Sequence, residues 1–208
     1  MSIEDLFRQI SSGGANASGK PEYIIAGLGN PGKEYEETRH NAGFLAIDFV
    51  AEKLGAKINR AKYNALVAEV RIGDKNVLLM KPQTYMNLSG TSVSAAADFY
   101  KIPPQNILVL CDDITQNPGK LRIRKSGSAG GHNGLKNIIE RLGSDKFPRI
   151  RIGVGEKPSK DYDLAAWVTG KFSAEDKKAV SGRFADVEKA IPLVLAGDMD
   201  KAMCLYNG

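Results

Sequence analysis

The apolar run Tyr23-Ile24-Ile25-Ala26 passes straight into Gly27-Leu28-Gly29-Asn30-Pro31-Gly32, and this junction constrains the fold more than any other feature. Consecutive apolar residues closed by glycine and proline read as a strand buried on both faces. Beyond the loop, Phe44, Leu45, Ile47, Phe49, Val50 and Leu54 recur at helical spacing. Asn41 is placed to cap that helix and Gly55 to end it as the C′ residue. A strand, a loop and a helix in this order open an α/β sheet, whose ligands bind in loops at the carboxyl ends of strands. This loop carries an amide, Asn30, a phenol ring, Tyr35, and an imidazole, His40.

The same logic organises the rest of the chain. Two β-type runs, 65–72 and 76–80, flank Gly73-Asp74-Lys75 and predict a hairpin. Lys81-Pro82-Gln83-Thr84-Tyr85-Met86-Asn87 leaves the second run, and a helix is expected over about 89–100, ended by Pro103-Pro104. Residues 106–111 read as another buried strand, which delivers Asp112-Asp113 at its carboxyl end. A turn at Asn117-Pro118-Gly119 leads to a basic strand over 120–125, and the Gly-rich stretch 126–134 opens a helix over 134–142. A short strand over 149–154, a surface segment with Trp167 and a last helix over about 173–196 follow. Because the hairpin interrupts a purely parallel scheme, the expected fold is α/β: a mixed twisted sheet flanked by helices on both faces. The 208 residues suit one such domain, assigned to 21–208. Residues 1–20 read as a flexible N-terminal extension, with a short amphipathic helix over 1–10 and a Ser/Gly/Ala/Asn-rich linker after it.

Composition narrows the function. A net charge of +5 suits a partner that carries phosphates. No apolar run approaches the roughly 18 residues that cross a bilayer. Cys111 and Cys204 form no framework of spacings, which points to a reduced, cytoplasmic protein. Glu4 and Asp5 stand where a secretory signal or a transit peptide would be basic.

Several residues could carry chemistry. Gly27-x-Gly29-x-x-Gly32, with Glu52 twenty residues beyond, matches the dinucleotide fingerprint, but that fingerprint needs its helix to begin at the third glycine. Here Pro31 makes a turn and 33–39 lacks apolar periodicity, so no cofactor is expected. His40 and His132, the only histidines, both lie in Gly/Asn-rich loops. A carboxylate against an imidazole fixes its tautomer and leaves the other nitrogen free to take a proton. His40 also precedes the first turn of a helix, whose positive dipole end favours a neutral ring. Metal-ligand spacings and a G-x-S-x-G elbow are both missing, so neither a metal nor a serine nucleophile is expected and the base should activate water. Asn30, Asn87 and Asn133 follow turns or strand ends and could offer uncharged donors to a carbonyl or an oxyanion. Lys120, Arg122, Arg124, Lys125 and Arg151 could clamp phosphates beside the Gly-rich loop.

These stretches, together with Thr38-Arg39-His40-Asn41-Ala42-Gly43, Lys81-Pro82-x-Thr84-Tyr85-Met86-Asn87-Leu88-Ser89-Gly90 and 127–135, resemble the bacterial peptidyl-tRNA hydrolase family over roughly 22–205. The resemblance implies a monomeric, metal-independent α/β enzyme of the cytoplasm that cleaves the ester between peptide and tRNA and recycles tRNA from stalled translation. It implies that His40 is the proton acceptor, that Asp112 holds it in its basic form, and that Asn30 distinguishes N-blocked from free aminoacyl-tRNA. Tyr35, Tyr85, Asn87 and Asn133 would contact the tRNA 3′ end or the peptide, and Arg124, Lys125 and Arg151 the acceptor-stem phosphates. A non-catalytic RNA-binding protein on the same scaffold is the alternative. Thr115 stands where the family often has an aspartate, and residues 1–20 precede the family's usual start.

Overall fold

Tyr23–Gly27 forms β1, buried at every residue but its first, in the middle of a seven-stranded sheet. The computed structural model describes residues 19–208, so the extension expected over 1–20 lies outside the described residues except for its last two positions. The other strands are β2 (Arg60–Lys62), β3 (Ala65–Ile72), β4 (Lys75–Pro82), β5 (Ile107–Asp113), β6 (Leu121–Arg124) and β7 (Arg149–Gly153). Across the sheet they run β2-β3-β4-β1-β5-β7-β6. The inner four are parallel, and β3, β2 and β6 extend the two edges antiparallel. The hairpin closes at Gly73-Asp74 as its sequence requires, with Ile72 opposite Lys75.

Alternation along each strand sends side chains to two cores. On one face Ile25, Leu79, Leu108 and Leu110 meet α1 (Ala42–Lys53) and, later in the chain, the helix Phe184–Leu195. On the other, Ile24, Met80 and Val109 meet α2 (Ser89–Tyr100) and α3 (Asn133–Leu142). Both faces are thus covered by helices, and β5 is buried along its whole length. Among the described residues no helix is long and apolar enough to cross a membrane, and both cysteines are unpaired, Cys111 buried and Cys204 exposed.

The C-terminal third departs from the sequence expectation. The segment with Trp167 is a short helix, α4 (Leu164–Thr169), capped by the Asp163 carboxylate, which accepts from the backbone N–H groups of Ala165 and Ala166. The single helix expected over 173–196 is two, α5 (Ala174–Ser181) and α6 (Phe184–Leu195), separated at Gly182-Arg183, where glycine's low helix propensity breaks the run. A further helix, α7 (Met199–Tyr206), follows Gly197, whose φ of 83° ends α6. β2 was missed because its three residues are all exposed and carry no apolar pattern. Its signal was the turn that joins it to β3, where Tyr63 and Asn64 both have positive φ.

The topology fixes where ligands can enter. β1 leads into α1 on one face, while its neighbour β4 leads into α2 on the other. The crevice between these diverging connections is a topological switch point. The chain reaches α1 through two short 3-10 turns, Lys33–Tyr35 and Arg39–Asn41, so the helix starts ten residues past Gly32 and the dinucleotide geometry is absent. α1 lies very close to the sheet. A methyl group on Gly43 would sit 2.3 Å from the carbonyl oxygen of Leu110 and 2.5 Å from the backbone nitrogen of Leu28. The Phe44 N–H donates to the Leu28 carbonyl at 3.0 Å. Gly43→Ala should therefore lower stability by about 3 kcal/mol, as backbone-level overpacking does. The check is a reduced urea midpoint at unchanged slope; an unaltered midpoint would contradict the close approach.

Candidate active site

Asp112 closes β5 and is 2% exposed. One carboxylate oxygen, Oδ1, lies 2.8 Å from His40 Nδ1 and 3.0 Å from His132 Nε2. Local structure decides where the protons are. His132 is the N-cap of α3, and its Nδ1 accepts from the backbone N–H groups of Gly134 at 3.1 Å and Leu135 at 3.3 Å. A ring nitrogen that accepts holds no proton, so His132 is neutral and donates through Nε2 to Asp112. Ionised Asp112 can only accept, so His40 donates through Nδ1 and keeps a lone pair on Nε2. His40 borders a cavity of about 600 Å³ at the switch point.

Burial works to lower the pKa of His40, but the charge of Asp112 and its hydrogen bond outweigh it and hold the ring above the ordinary imidazole value. For Asp112, burial acts upward and the two imidazoles overcome it, keeping the carboxyl below its usual range. The helix end is expected to disfavour the charged ring; the pKa instead lies above the ordinary value, because the adjacent Asp112 carboxylate raises it. His40 does lie just ahead of α1, as its sequence predicts, in the 3-10 turn Arg39–Asn41.

The amide of Asn30 is oriented by the same loop. Its Oδ1 accepts from the backbone N–H of Met86 at 2.7 Å. A backbone N–H requires an oxygen opposite it, so Nδ2 is the end left over, and it has no partner among the described residues. Asn41 holds the Asn30 backbone from both sides, accepting from its N–H at 2.8 Å and donating to its carbonyl at 3.0 Å. This replaces the side-chain cap expected of Asn41, which makes no such bond to α1.

Asp113, fully buried, points the other way from Asp112. Its Oδ1 accepts from the N–H and hydroxyl of Thr115 at 2.9 and 2.8 Å, which sets the turn after β5. Its Oδ2 lies 3.1 Å from Nε of Arg151, a guanidinium that borders the cavity. The Gly-rich loop before His132 is tied down by Arg149, 1% exposed. Its guanidinium donates to the carbonyls of Gly127, Ser128, Asp145 and Phe147.

Asn30, His40, Tyr85, Asn87, Asp112, Asn133 and Arg151 thus border one cavity, together with Leu164, Ala165, Val168 and Thr169 of α4. Tyr35, in its 3-10 turn, and Arg124 and Lys125, exposed at the end of the edge strand β6, lie outside this lining. His132 was not among the residues assigned to the site from sequence. Its signal was a second loop histidine placed directly before the helix-opening Asn133-Gly134. His40, Asp112 and His132 have the composition of a metal centre, yet they do not fit one. The Nε2 that His132 turns to Asp112 carries a proton, and the lone pair of its other nitrogen, Nδ1, is engaged by α3.

The family model described as peptidyl-tRNA hydrolase matches residues 24–208. The chain belongs to the peptidyl-tRNA hydrolase family. It is 48% identical to the peptidyl-tRNA hydrolase of Clostridium botulinum over 89% of this chain and 97% of that one. Its likeness to the relative from Caldanaerobacter subterraneus is 48% over 89% of this chain and the whole of that protein. The crystal structure of peptidyl-tRNA hydrolase from Acinetobacter baumannii superimposes with a TM-score of 0.84 at 35% identity, covering 92% of this chain and 99% of that one. A peptidyl-tRNA hydrolase is a carboxylic ester hydrolase, which accords with a base, an amide donor and a cavity at one switch point.

The pH dependence follows from the raised pKa of His40. A base must be deprotonated in the free enzyme, so kcat/KM should climb with pH and reach half its plateau above about 6.5, the ordinary imidazole value. Asp112→Asn removes the charge that raises this pKa and should move the acid limb downward. It should also cut the plateau by about 10²–10⁴-fold through loss of the tautomer. A pH–rate profile of both proteins measures this; a wild-type midpoint at or below 6.5 would refute it.

Proposed function

We propose that His40 activates water to cleave the ester that joins a peptide, or an N-blocked amino acid, to the terminal ribose of tRNA. Nε2 of His40 takes a proton from water as its oxygen attacks the ester carbonyl. The tetrahedral intermediate collapses by breaking the bond to the ribose oxygen, and the imidazolium returns its proton to that oxygen. Asp112 holds the tautomer and stabilises the imidazolium while it exists. Asn30 offers its free Nδ2–H to a carbonyl of the N-blocked substrate. Asn133, Asn87, Tyr85 and Tyr35 contact the peptide and the 3′ end, and Asn133 adds a donor for the developing negative charge. Arg151, Arg124 and Lys125 hold acceptor-stem phosphates.

The observation that carries this reading is the 2.8 Å contact between His40 and the buried Asp112 beside a cavity that the oriented amide of Asn30 also borders. No step needs a metal, and chelators should leave the rate unchanged. On the same reading the chain acts as a monomer in the cytoplasm, where its two unpaired thiols stay reduced.

His40→Ala should lower turnover of N-acetyl-aminoacyl-tRNA by about 10²–10⁴-fold while tRNA affinity stays as in the wild type. Single-turnover hydrolysis beside a filter-binding titration separates the two, and near-wild-type turnover would end the assignment. Lys125→Ala should weaken tRNA binding for every tRNA alike and reduce the slope of log affinity against log salt by about one.

A further inference from the structure

We propose that Arg39 is a positioning residue for the substrate: by stacking on Trp167 it fixes α4 as a wall of the catalytic cavity. The proposal rests on the reading of that cavity as the ester-binding site. Arg39 precedes His40 in the 3-10 turn and is 7% exposed. Its guanidinium carbon lies 3.6 Å from the centre of the Trp167 ring. Nη1 donates to the carbonyl of Lys171 at 2.8 Å, Nη2 lies 3.7 Å from the Asp176 carboxylate, and the backbone N–H donates to Gly170 at 3.1 Å. Nε is buried and has no hydrogen-bond partner among the described residues, so the face of the indole is what compensates that side of the cation.

Backbone pairing already holds the segment just after α4, through the Thr38–Lys171 bridge and the Phe172 N–H donating to Glu37. Neither contact reaches α4 itself, which presents Leu164, Ala165, Val168 and Thr169 to the cavity. The helix is only six residues long, too short to hold its own orientation. Trp167 is anchored at its edge by donating from Nε1 to the carbonyl of Gly155 at 3.0 Å, with Tyr162 packed edge-on against the ring. The indole is thus clamped between Gly155 and Arg39, and the apolar wall takes its place from that clamp. A planar cation suits this role, since a guanidinium stacks on a ring while it donates in its own plane.

The test uses R39M, W167F and W167L in the full chain, with N-acetyl-aminoacyl-tRNA as substrate. R39M and W167L should raise KM about tenfold, the scale of a desolvated cation–aromatic contact, with the acid limb of the pH profile where it is in the wild type. W167F keeps a ring under the guanidinium but loses the bond to Gly155, so its KM should fall between those of the wild type and W167L. An unchanged KM in W167L, a W167F as damaged as W167L, or a loss confined to kcat with a shifted acid limb overturns the proposal. If R39M fails to fold, the two Trp167 variants decide the matter.

Trp167 is the only tryptophan in the chain, so its emission reports on the clamp without substrate. R39M should shift emission to the red and increase acrylamide quenching; a folded R39M with wild-type spectrum and quenching overturns the proposal whatever the turnover. A red shift in R39M together with no hydrolysis by the wild type would instead fault the catalytic reading.

Discussion

A carboxylate withdrawn from water at the end of a fully buried strand must be met by donors, and much of this structure arranges that meeting. Asp112 receives two imidazole N–H groups on a single oxygen, each delivered by a different face of the sheet. His40 arrives from the α1 side, where glycine at 43 lets the helix rest on backbone. His132 arrives from the α3 side and can donate only because its other nitrogen is engaged by the first turn of that helix. Tautomer, helix start and carboxylate charge are therefore one coupled arrangement.

The resulting division of labour is uneven. His132 is locked on both nitrogens, whereas His40 is locked on one. Two chemically identical side chains on one acceptor end up with different atoms to spare, none on His132 and a lone pair on His40, and the difference comes from what stands behind each ring. The amide of Asn30 follows the same rule: Met86 takes its oxygen and so leaves only its donor.

Much of this was legible in the residues. Buried-type runs placed β1 and β5, glycine and aspartate placed the hairpin, and the loops after those strands named Asn30, His40 and Asp112. What escaped depended on contacts between distant segments. The dipole argument for a neutral His40 used only neighbours in sequence, and a carboxylate 72 residues away reverses its sign. Asn41 looked like a cap because capping is the local use of its amide, but the backbone of Asn30 competes for the same atoms. The role of His132 requires the spatial relation between β5 and the Gly-rich loop, which no periodicity encodes. α4 carried a readable aspartate cap, yet its short length and exposed residues gave no apolar stripe.

Arg149 has a consequence of a different kind. It binds the Gly-rich loop through neutral carbonyl oxygens inside the protein rather than through a carboxylate at its surface. Exposed pairs such as Lys177–Glu37 and Arg60–Glu69 loosen as counterions crowd around them. Nothing comparable acts on a buried fork gripping peptide dipoles. The segment that presents His132 is thereby fastened by a latch indifferent to brine, one that added salt leaves closed while the surface pairs loosen.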